Sequence, residues 1–108
     1  MKRHVKPYVS YHAGLIRDLK KDPELAAIYL SVALEEGDQE GFLMALRNVM
    51  EARGGVTAIA RKAKINRVSL YKIASKKGNP EFASVLALLH ALHVKLQLVP
   101  DKSRSKAA

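Results

Sequence analysis

The 108-residue sequence predicts a small all-α protein, and three observations carry that prediction. Hydrophobic residues recur every three or four positions through most of residues 22–92, as amphipathic helices require. Residues typical of helix starts and stops separate these apolar runs. A basic segment over residues 59–73 is typical of two short helices joined by a tight turn. Together these features predict five or six helices.

The length and composition exclude several classes of protein. A chain of this size is one domain, or one domain with appended segments, and it can bury a modest core. It has no cysteine, which fits the reducing cytoplasm, and no apolar run of the roughly 20 residues that cross a membrane. No apolar stretch follows the basic N-terminus, so we expect no secretory signal and no membrane partner.

Charge is distributed unevenly along the chain. Residues 1–40 hold six Lys/Arg and seven Asp/Glu, whereas residues 41–108 hold thirteen and three. The first part therefore has a net charge of −1 and the second a net charge of +10, which together give the total of +9. A basic domain attracts polyanions by releasing their counterions, but many basic surfaces bind none.

The first half of the chain predicts an N-terminal segment over residues 1–21 and a helical hairpin over residues 22–54. Residues 1–14 lack a clear period, and we expect them to be partly irregular. Asp22-Pro23-Glu24 is a typical helix start. Its helix shows apolar residues at helical spacing, namely Leu25, Ile28, Tyr29, Val32 and Ala33. A second helix restarts at Asp38 and runs to about Arg53, where two glycines break the chain.

The two short helices are predicted over residues 56–63 and 67–75. In the turn between them, Ile65 is expected to enter the core and Asn66 to cap the second helix. Leu70, Ile73 and Ala74 are expected on the core side of that helix. Lys64 lies in the turn, where either a left-handed lysine carries some strain or the turn differs slightly.

The C-terminal part predicts one more helix, a short strand and a tail. The helix is defined by apolar residues at helical spacing, namely Phe82, Val85, Leu86, Leu89 and Leu92. Residues 94–99 alternate apolar and polar, which predicts a strand that ends at Pro100. The Ser/Lys/Arg-rich residues 101–108 are expected to be disordered, and residues 95–108 form the final segment.

The layout of residues 59–73 is that of a helix-turn-helix, whose second helix lies in the DNA major groove. Base contacts are expected from the exposed positions of that helix: Arg67, Val68, Ser69 and Lys72. Phosphate contacts are expected from polar residues around it: Thr57, Asn66, Lys76, Lys77 and Asn79. The competing interpretation for each of these side chains is a solvated helix face or loop. We expect Tyr71 to pack beside the turn.

No residues form a recognisable catalytic, cofactor or metal site. His90 and His93 are three positions apart, but no cysteine or carboxylate cluster completes a metal shell around them. Ser69 and Lys72 are neighbours on a helix without a base or an oxyanion element. We therefore expect no cofactor, no metal and no enzymatic activity.

The chain resembles a known family over residues 11–100. Residues 55–94 are similar to the Xre/Cro-type, lambda-repressor-like helix-turn-helix domain, through residues such as Ile59-Ala60 and Ile65-Asn66-Arg67. Asp22-Pro23-Glu24, Arg53-Gly54-Gly55 and Gly78-Asn79-Pro80 further resemble the HigA-like addiction-module antidote proteins. The resemblance implies a type II antitoxin that neutralises a RelE/ParE-like toxin. It also implies that a dimer binds the double-stranded DNA of the operon promoter and represses the operon.

Two other functions stay open at this stage. One is an Xre-type transcriptional regulator without a toxin partner, and the other is a protein–protein adaptor whose helix-turn-helix does not bind DNA. The acidic hairpin turn, which contains Glu35, Glu36, Asp38 and Glu40, is either a solvated turn or a contact for a basic toxin. The last helix or the strand over residues 94–99 is expected to form the dimer contact, because both are apolar.

Overall fold

The computed structural model describes residues 7–75 and 78–103, with side chains from residue 11 onward. Within these ranges the protein is all-helical, as predicted, and has six helices. They are α1 (Pro7–Lys21), α2 (Pro23–Glu35), α3 (Gln39–Ala52), α4 (Val56–Lys62), α5 (Arg67–Ala74) and α6 (Phe82–Ala91). No described helix is long and apolar enough to cross a membrane.

Helix α3 is the centre of the fold and packs against α1, α2, α4 and α5. Its core side is fully apolar, with Leu43, Leu46 and Met50 almost completely buried. Leu19 of α1 and Ile73 of α5 reach the same core and are also fully buried. Helix α6 packs against α4 and adds Leu88, which the sequence analysis did not place in the core.

The predicted starts of the helical hairpin are confirmed. The carboxylate of Asp22 accepts hydrogen bonds from the N–H groups of Glu24 (3.1 Å) and Leu25 (3.2 Å), so it caps α2. Helix α3 starts directly after Asp38, although that side chain makes no capping hydrogen bond. Between the two helices, the amide of Asn48 donates to the Tyr29 hydroxyl at 2.9 Å.

The link from α3 to α4 depends on its two glycines. Gly54 and Gly55 have φ angles of 133° and 107°, which side-chain-bearing residues rarely adopt. The N–H of Gly55 donates to the carbonyl of Met50 at 2.8 Å, so the chain reverses immediately at the end of α3. This sharp reversal brings α4 back onto the core, where Ile59 and Ala60 are buried.

Two of our element predictions are wrong. The N-terminal residues are not irregular from residue 7 onward, because α1 begins at Pro7 and packs against α2 and α3. Proline suits the first turn of a helix, where its missing N–H costs nothing. Residues 94–99 form no strand, because the described part of the chain contains no second strand to pair with them.

Several side chains that we expected in the core lie at the surface instead. In α2 the buried residues are Ala26 and Leu30, while Ile28 and Val32 are 58% and 51% exposed. In α5 Ala74 is exposed and Leu70 is only half-buried. Phe82, the first residue of α6, is 66% exposed, and the buried residues of this helix are Leu88, Leu89 and Ala91.

Candidate nucleic-acid interface

Helices α4 and α5 form a compact pair joined by residues 63–66. Two hydrogen bonds close the end of α4: the N–H of Lys64 donates to Arg61 at 3.0 Å, and the N–H of Ile65 donates to Ala60 at 3.0 Å. This pair of hydrogen bonds requires a left-handed residue directly after the end of α4, and Lys64 has a φ of 60° there. Of the two alternatives, the left-handed lysine is therefore present, and the turn adopts a common helix-ending geometry.

Asn66 starts α5 as predicted. Its side-chain oxygen accepts a hydrogen bond from the N–H of Ser69 at 2.8 Å, while the rest of the side chain remains exposed. The oxygen is occupied, but the amide NH₂ makes no hydrogen bond with a described residue and can donate to a ligand. Ile65 packs against the core beside this cap, which fixes the direction in which α5 leaves the turn.

An arginine from α3 holds the other end of α5. The guanidinium of Arg47 donates to the backbone carbonyl of Ile73 at 2.8 Å, and Arg47 is half-buried there. A cation at the end of a helix satisfies a free carbonyl and interacts favourably with the helix dipole. Arg47 therefore positions α5 on α3. No local sequence pattern links residues 47 and 73, so this contact could not be predicted from the sequence.

The outward face of α5 consists of Arg67, Val68, Tyr71 and Lys72. All four are exposed, with Val68 at 64% and Tyr71 at 72%. Our expectation that Tyr71 packs beside the turn is wrong, because Ile73 and half-buried Leu70 occupy the core side of this helix. Ser69 lies at the edge of the face and is half-buried. The structure thus brings three of the four predicted base-contacting residues onto one face.

The predicted phosphate-contacting residues lie around that face. Thr57, in the first turn of α4, is exposed, as are Asn66 and Asn79. The side-chain oxygen of Asn79 already accepts a hydrogen bond from the amide of Gln39 at 3.3 Å. The same amide donates to the carbonyl of Gly78 at 3.2 Å. Lys76 and Lys77 lie outside the described residues.

The loop after α5 approaches that helix closely at Gly78. A Cβ atom added to Gly78 would overlap the backbone carbonyl oxygen of Lys72. The N–H of Gly78 also donates to the carbonyl of Ser75 at 3.1 Å. Gly78 therefore lies against the backbone of α5 at a position that only glycine can occupy.

The surroundings of this face are cationic. Residues 52–80 contain eight Lys/Arg and no Asp or Glu. Besides Arg67 and Lys72, the exposed cations include Arg61, Lys62 and Lys64, which the sequence analysis did not select. None of these five forms an ion pair with a carboxylate in the described ranges. The absence of acidic residues between positions 52 and 80 is the signal that would have identified them.

The described residues show no metal site at this surface. No group of three or more His, Cys, Asp or Glu side chains in the described ranges is close enough to hold a metal ion. His93 lies beyond the end of α6, where its ring nitrogen Nε2 is 3.4 Å from Nζ of Lys62. The surface around α4 and α5 presents hydrogen-bond donors and positive charge to a ligand.

Comparison with known proteins shows the family of this chain. A family model described as a probable addiction module antidote protein matches residues 14–100. The chain belongs to this family of antidote proteins. It is also 41% identical over 71 residues to an uncharacterized protein of Haemophilus influenzae, which covers 66% of this chain and 72% of that protein. No solved structure matches the chain significantly.

Family membership identifies this antidote protein as an antitoxin and implies a cognate toxin as its partner. The matched region includes all of α2 to α6, so it contains both the helical hairpin and the α4–α5 pair.

Proposed function

We propose that this antitoxin neutralises a RelE/ParE-like toxin and represses its own operon by sequence-specific binding to promoter DNA, as a homodimer of HigA-like type. Family membership supports the antitoxin part of the proposal. The outward face of α5, set in a stretch without acidic residues, carries the DNA-binding part. In this proposal α4 and α5 are a helix-turn-helix of the Xre/Cro type, and α5 enters the major groove.

The exposed side chains of α5 match the chemistry of base edges. Arg67 stands at the start of the helix, and a guanidinium there can donate two hydrogen bonds to the major-groove edge of guanine. Val68 offers an apolar contact for the methyl group of thymine. Lys72, one turn further along, can donate to a guanine or to a phosphate. Ser69 is the weakest of the proposed base contacts, since it is half-buried.

The proposed phosphate contacts surround α5 on two sides. The hydroxyl of Thr57, the free amide of Asn66 and the amide of Asn79 can each donate a hydrogen bond to a phosphate oxygen. Lys76 and Lys77 add two charges to the loop after α5. We add Tyr71 and Lys64 to this set, because both are exposed beside the outward face of α5. In a two-fold dimer, the two recognition helices would lie about 34 Å apart on a palindromic operator.

Fluorescence anisotropy with a labelled fragment of the operon promoter tests DNA binding. Arg67→Ala should weaken binding by about 1–3 kcal/mol and relax the preference at selected base pairs. Lys76→Ala or Lys77→Ala should weaken binding to all sequences alike and make it less dependent on salt. Arg17→Ala removes the same charge from an exposed position of α1 and should leave the base preference unchanged. Equal losses in Arg67→Ala and Arg17→Ala would contradict direct readout by α5.

Toxin neutralisation rests on a different surface of the molecule in this proposal. Glu35, Glu36, Asp38 and Glu40 are all exposed around the turn between α2 and α3. A basic toxin would find complementary charge there. Co-expression with the product of the adjacent gene, followed by a pull-down and a growth assay, tests the partner. Replacing Glu35 and Glu36 by lysine should weaken the complex while promoter binding is kept.

The outcomes of these experiments separate the proposed function from its rivals. Promoter binding without a toxin complex or rescue of growth would indicate an Xre-type regulator. A toxin complex without any promoter binding would indicate an antitoxin whose α4–α5 pair serves protein contacts.

A further inference from the structure

The loop between α5 and α6, residues 75–81, is held at Gly78 from two sides. On the side of α5, the N–H of Gly78 donates to the carbonyl of Ser75 at 3.1 Å, and an added Cβ would overlap the carbonyl oxygen of Lys72. On the side of α3, the side-chain amide of Gln39 donates to the carbonyl of Gly78 at 3.2 Å. The N–H and the carbonyl of Gly78 therefore both have partners.

The same amide of Gln39 also sets the orientation of Asn79. An amide NH₂ carries two hydrogens, so Nε2 of Gln39 can donate one to the Gly78 carbonyl and the other to Oδ1 of Asn79, which is 3.3 Å away. Because Oδ1 faces Gln39, the Nδ2 donors lie on the other side of the Asn79 amide. They make no hydrogen bond with a described residue, and Asn79 is exposed. Asn79 is thereby left as a hydrogen-bond donor for a ligand.

Gln39 lies on the most firmly packed helix of the protein. It is the first residue of α3, and Leu43, one turn later, is almost completely buried in the core. Apart from Ser75 of the same loop, Gln39 is the only described residue that forms a hydrogen bond with residues 78–80. A side chain on an anchored helix holds a group more precisely than a loop does. The position of this loop therefore depends on Gln39.

The loop contains three of the proposed phosphate contacts. Lys76 and Lys77 precede Gly78 in the sequence, and Asn79 follows it. Phosphate contacts fix the register and orientation of a protein on the duplex, so their donors must be in the right place. A donor that is already in place binds without the entropic cost of ordering its segment.

We propose that Gln39 is a positioning residue of the DNA interface, which holds the α5–α6 loop so that Asn79 donates to a phosphate beside α5. Gln39 itself does not contact DNA. The two acceptors that it serves explain the residue type, because glutamate has the same shape but donates no hydrogen bond when ionised. This inference rests on the proposed DNA-binding function, whereas the hydrogen bonds of Gln39 are independent of it.

Fluorescence anisotropy with the labelled promoter fragment tests the proposal. Gln39→Ala should raise the Kd about threefold to tenfold for promoter and unrelated DNA alike, since the loop must then be ordered on binding. Gln39→Glu should raise it further, because a carboxylate attracts the Nδ2 donors of Asn79 and turns its oxygen toward the phosphate. Gln97 supplies matched controls, since it is exposed and makes no hydrogen bond with a described residue. Losses in Gln97→Ala and Gln97→Glu as large as those at Gln39 would overturn the proposal.

A double-mutant cycle distinguishes positioning from a general loss of stability. Asn79→Ala should weaken DNA binding clearly in the wild type but much less in the Gln39→Ala background, where Asn79 is no longer held. Arg67→Ala should cost the same in both backgrounds, because Arg67 reads bases from α5 and forms no hydrogen bond with Gln39. Fully additive losses for Gln39 and Asn79 would show that Gln39 does not act through Asn79.

Nuclear magnetic resonance relaxation of the free protein separates this inference from the proposed function. The order parameters of the Gly78 and Asn79 amides should fall in Gln39→Ala, while that of Leu43 should stay the same. If they fall but the wild type binds no promoter DNA, Gln39 positions the loop and the DNA-binding function fails. If the wild type binds the promoter and Gln39→Ala binds it equally well, Gln39 has no positioning role at the DNA interface, whatever the order parameters show.

Discussion

The helical hairpin α2–α3 and the α4–α5 pair are both two-helix units, but they are stabilised differently. The hairpin has eight buried residues and two longer helices, whereas the α4–α5 pair has three, namely Ile59, Ala60 and Ile73. Helices of seven and eight residues are too short to be stable alone. The α4–α5 pair therefore keeps its shape by packing on α3, and most of its surface remains available for a ligand.

This contrast predicts that the largest loss of stability comes from the hairpin. Met50→Ala empties a fully buried site in α3 and should lower the free energy of unfolding by about 2–5 kcal/mol. Met44→Ala is the matched control in the same helix, because Met44 is 49% exposed, and it should cost about 0.5 kcal/mol or less. Urea denaturation measures both values. Similar losses in the two variants would mean that α3 is packed differently.

The contact between the two units should have the next largest effect. Arg47→Met removes the hydrogen bond to the carbonyl of Ile73 and should cost about 1.5–3 kcal/mol of stability. Promoter affinity should also fall, because α5 loses its anchor on α3. Arg61→Met removes an exposed arginine from α4 and should reduce promoter affinity without a comparable loss of stability. If Arg47→Met leaves thermal unfolding unchanged, Arg47 does not position α5.

Removing one helix cap in each unit should separate effects on stability from effects on DNA binding. Asp22→Ala in the hairpin and Asn66→Ala in the α4–α5 pair each delete a capping oxygen and should cost about 1 kcal/mol of stability. Only Asn66→Ala should also weaken promoter binding. Denaturation and anisotropy measurements on both variants would show whether each loses stability alone or loses both stability and promoter affinity.

The smallest expected effect is a gain in stability. Lys64→Gly relieves a left-handed lysine and should stabilise the fold by about 0.5–1 kcal/mol, while the loss of one exposed positive charge should reduce the salt dependence of the proposed DNA binding. His93→Gly is the control, because His93 ends α6 in the same way with a φ of 62°. Its variant also loses the 3.4 Å contact with Lys62 but removes no lysine or arginine, so it should leave the salt dependence of DNA binding unchanged.

The sequence was informative where a local rule decides the structure. The helix starts at Asp22 and Asn66 follow from residues within four positions of each other. The segment 94–99 has a strand pattern, but a strand needs a partner, and the described chain supplies none. Side-chain burial depends on tertiary contacts in the same way. Periodicity shows that one face of α2 is apolar, but the packing of the other helices leaves Ile28 exposed.

Long-range contacts explain most of what the sequence could not show at the proposed interface. Arg47 meets Ile73 across 26 residues, and Gln39 meets Asn79 across 40. Neither pair has a motif, so neither could be found without the structure. Conversely, the acid-free stretch over residues 52–80 is visible in the sequence and would have added Arg61 and Lys62 to the candidate residues.

The unpaired cations of α4 and α5 have a practical consequence. Because Arg61, Lys64 and Arg67 form no ion pair with a described carboxylate, the fold does not depend on them for cohesion. Concentrated salt, at about 1 M, shortens the screening length to about 3 Å and reduces the mutual repulsion of these charges. The same salt would release nucleic acid held as proposed above. A wash in concentrated salt should therefore remove any bound nucleic acid while the apolar core stays intact.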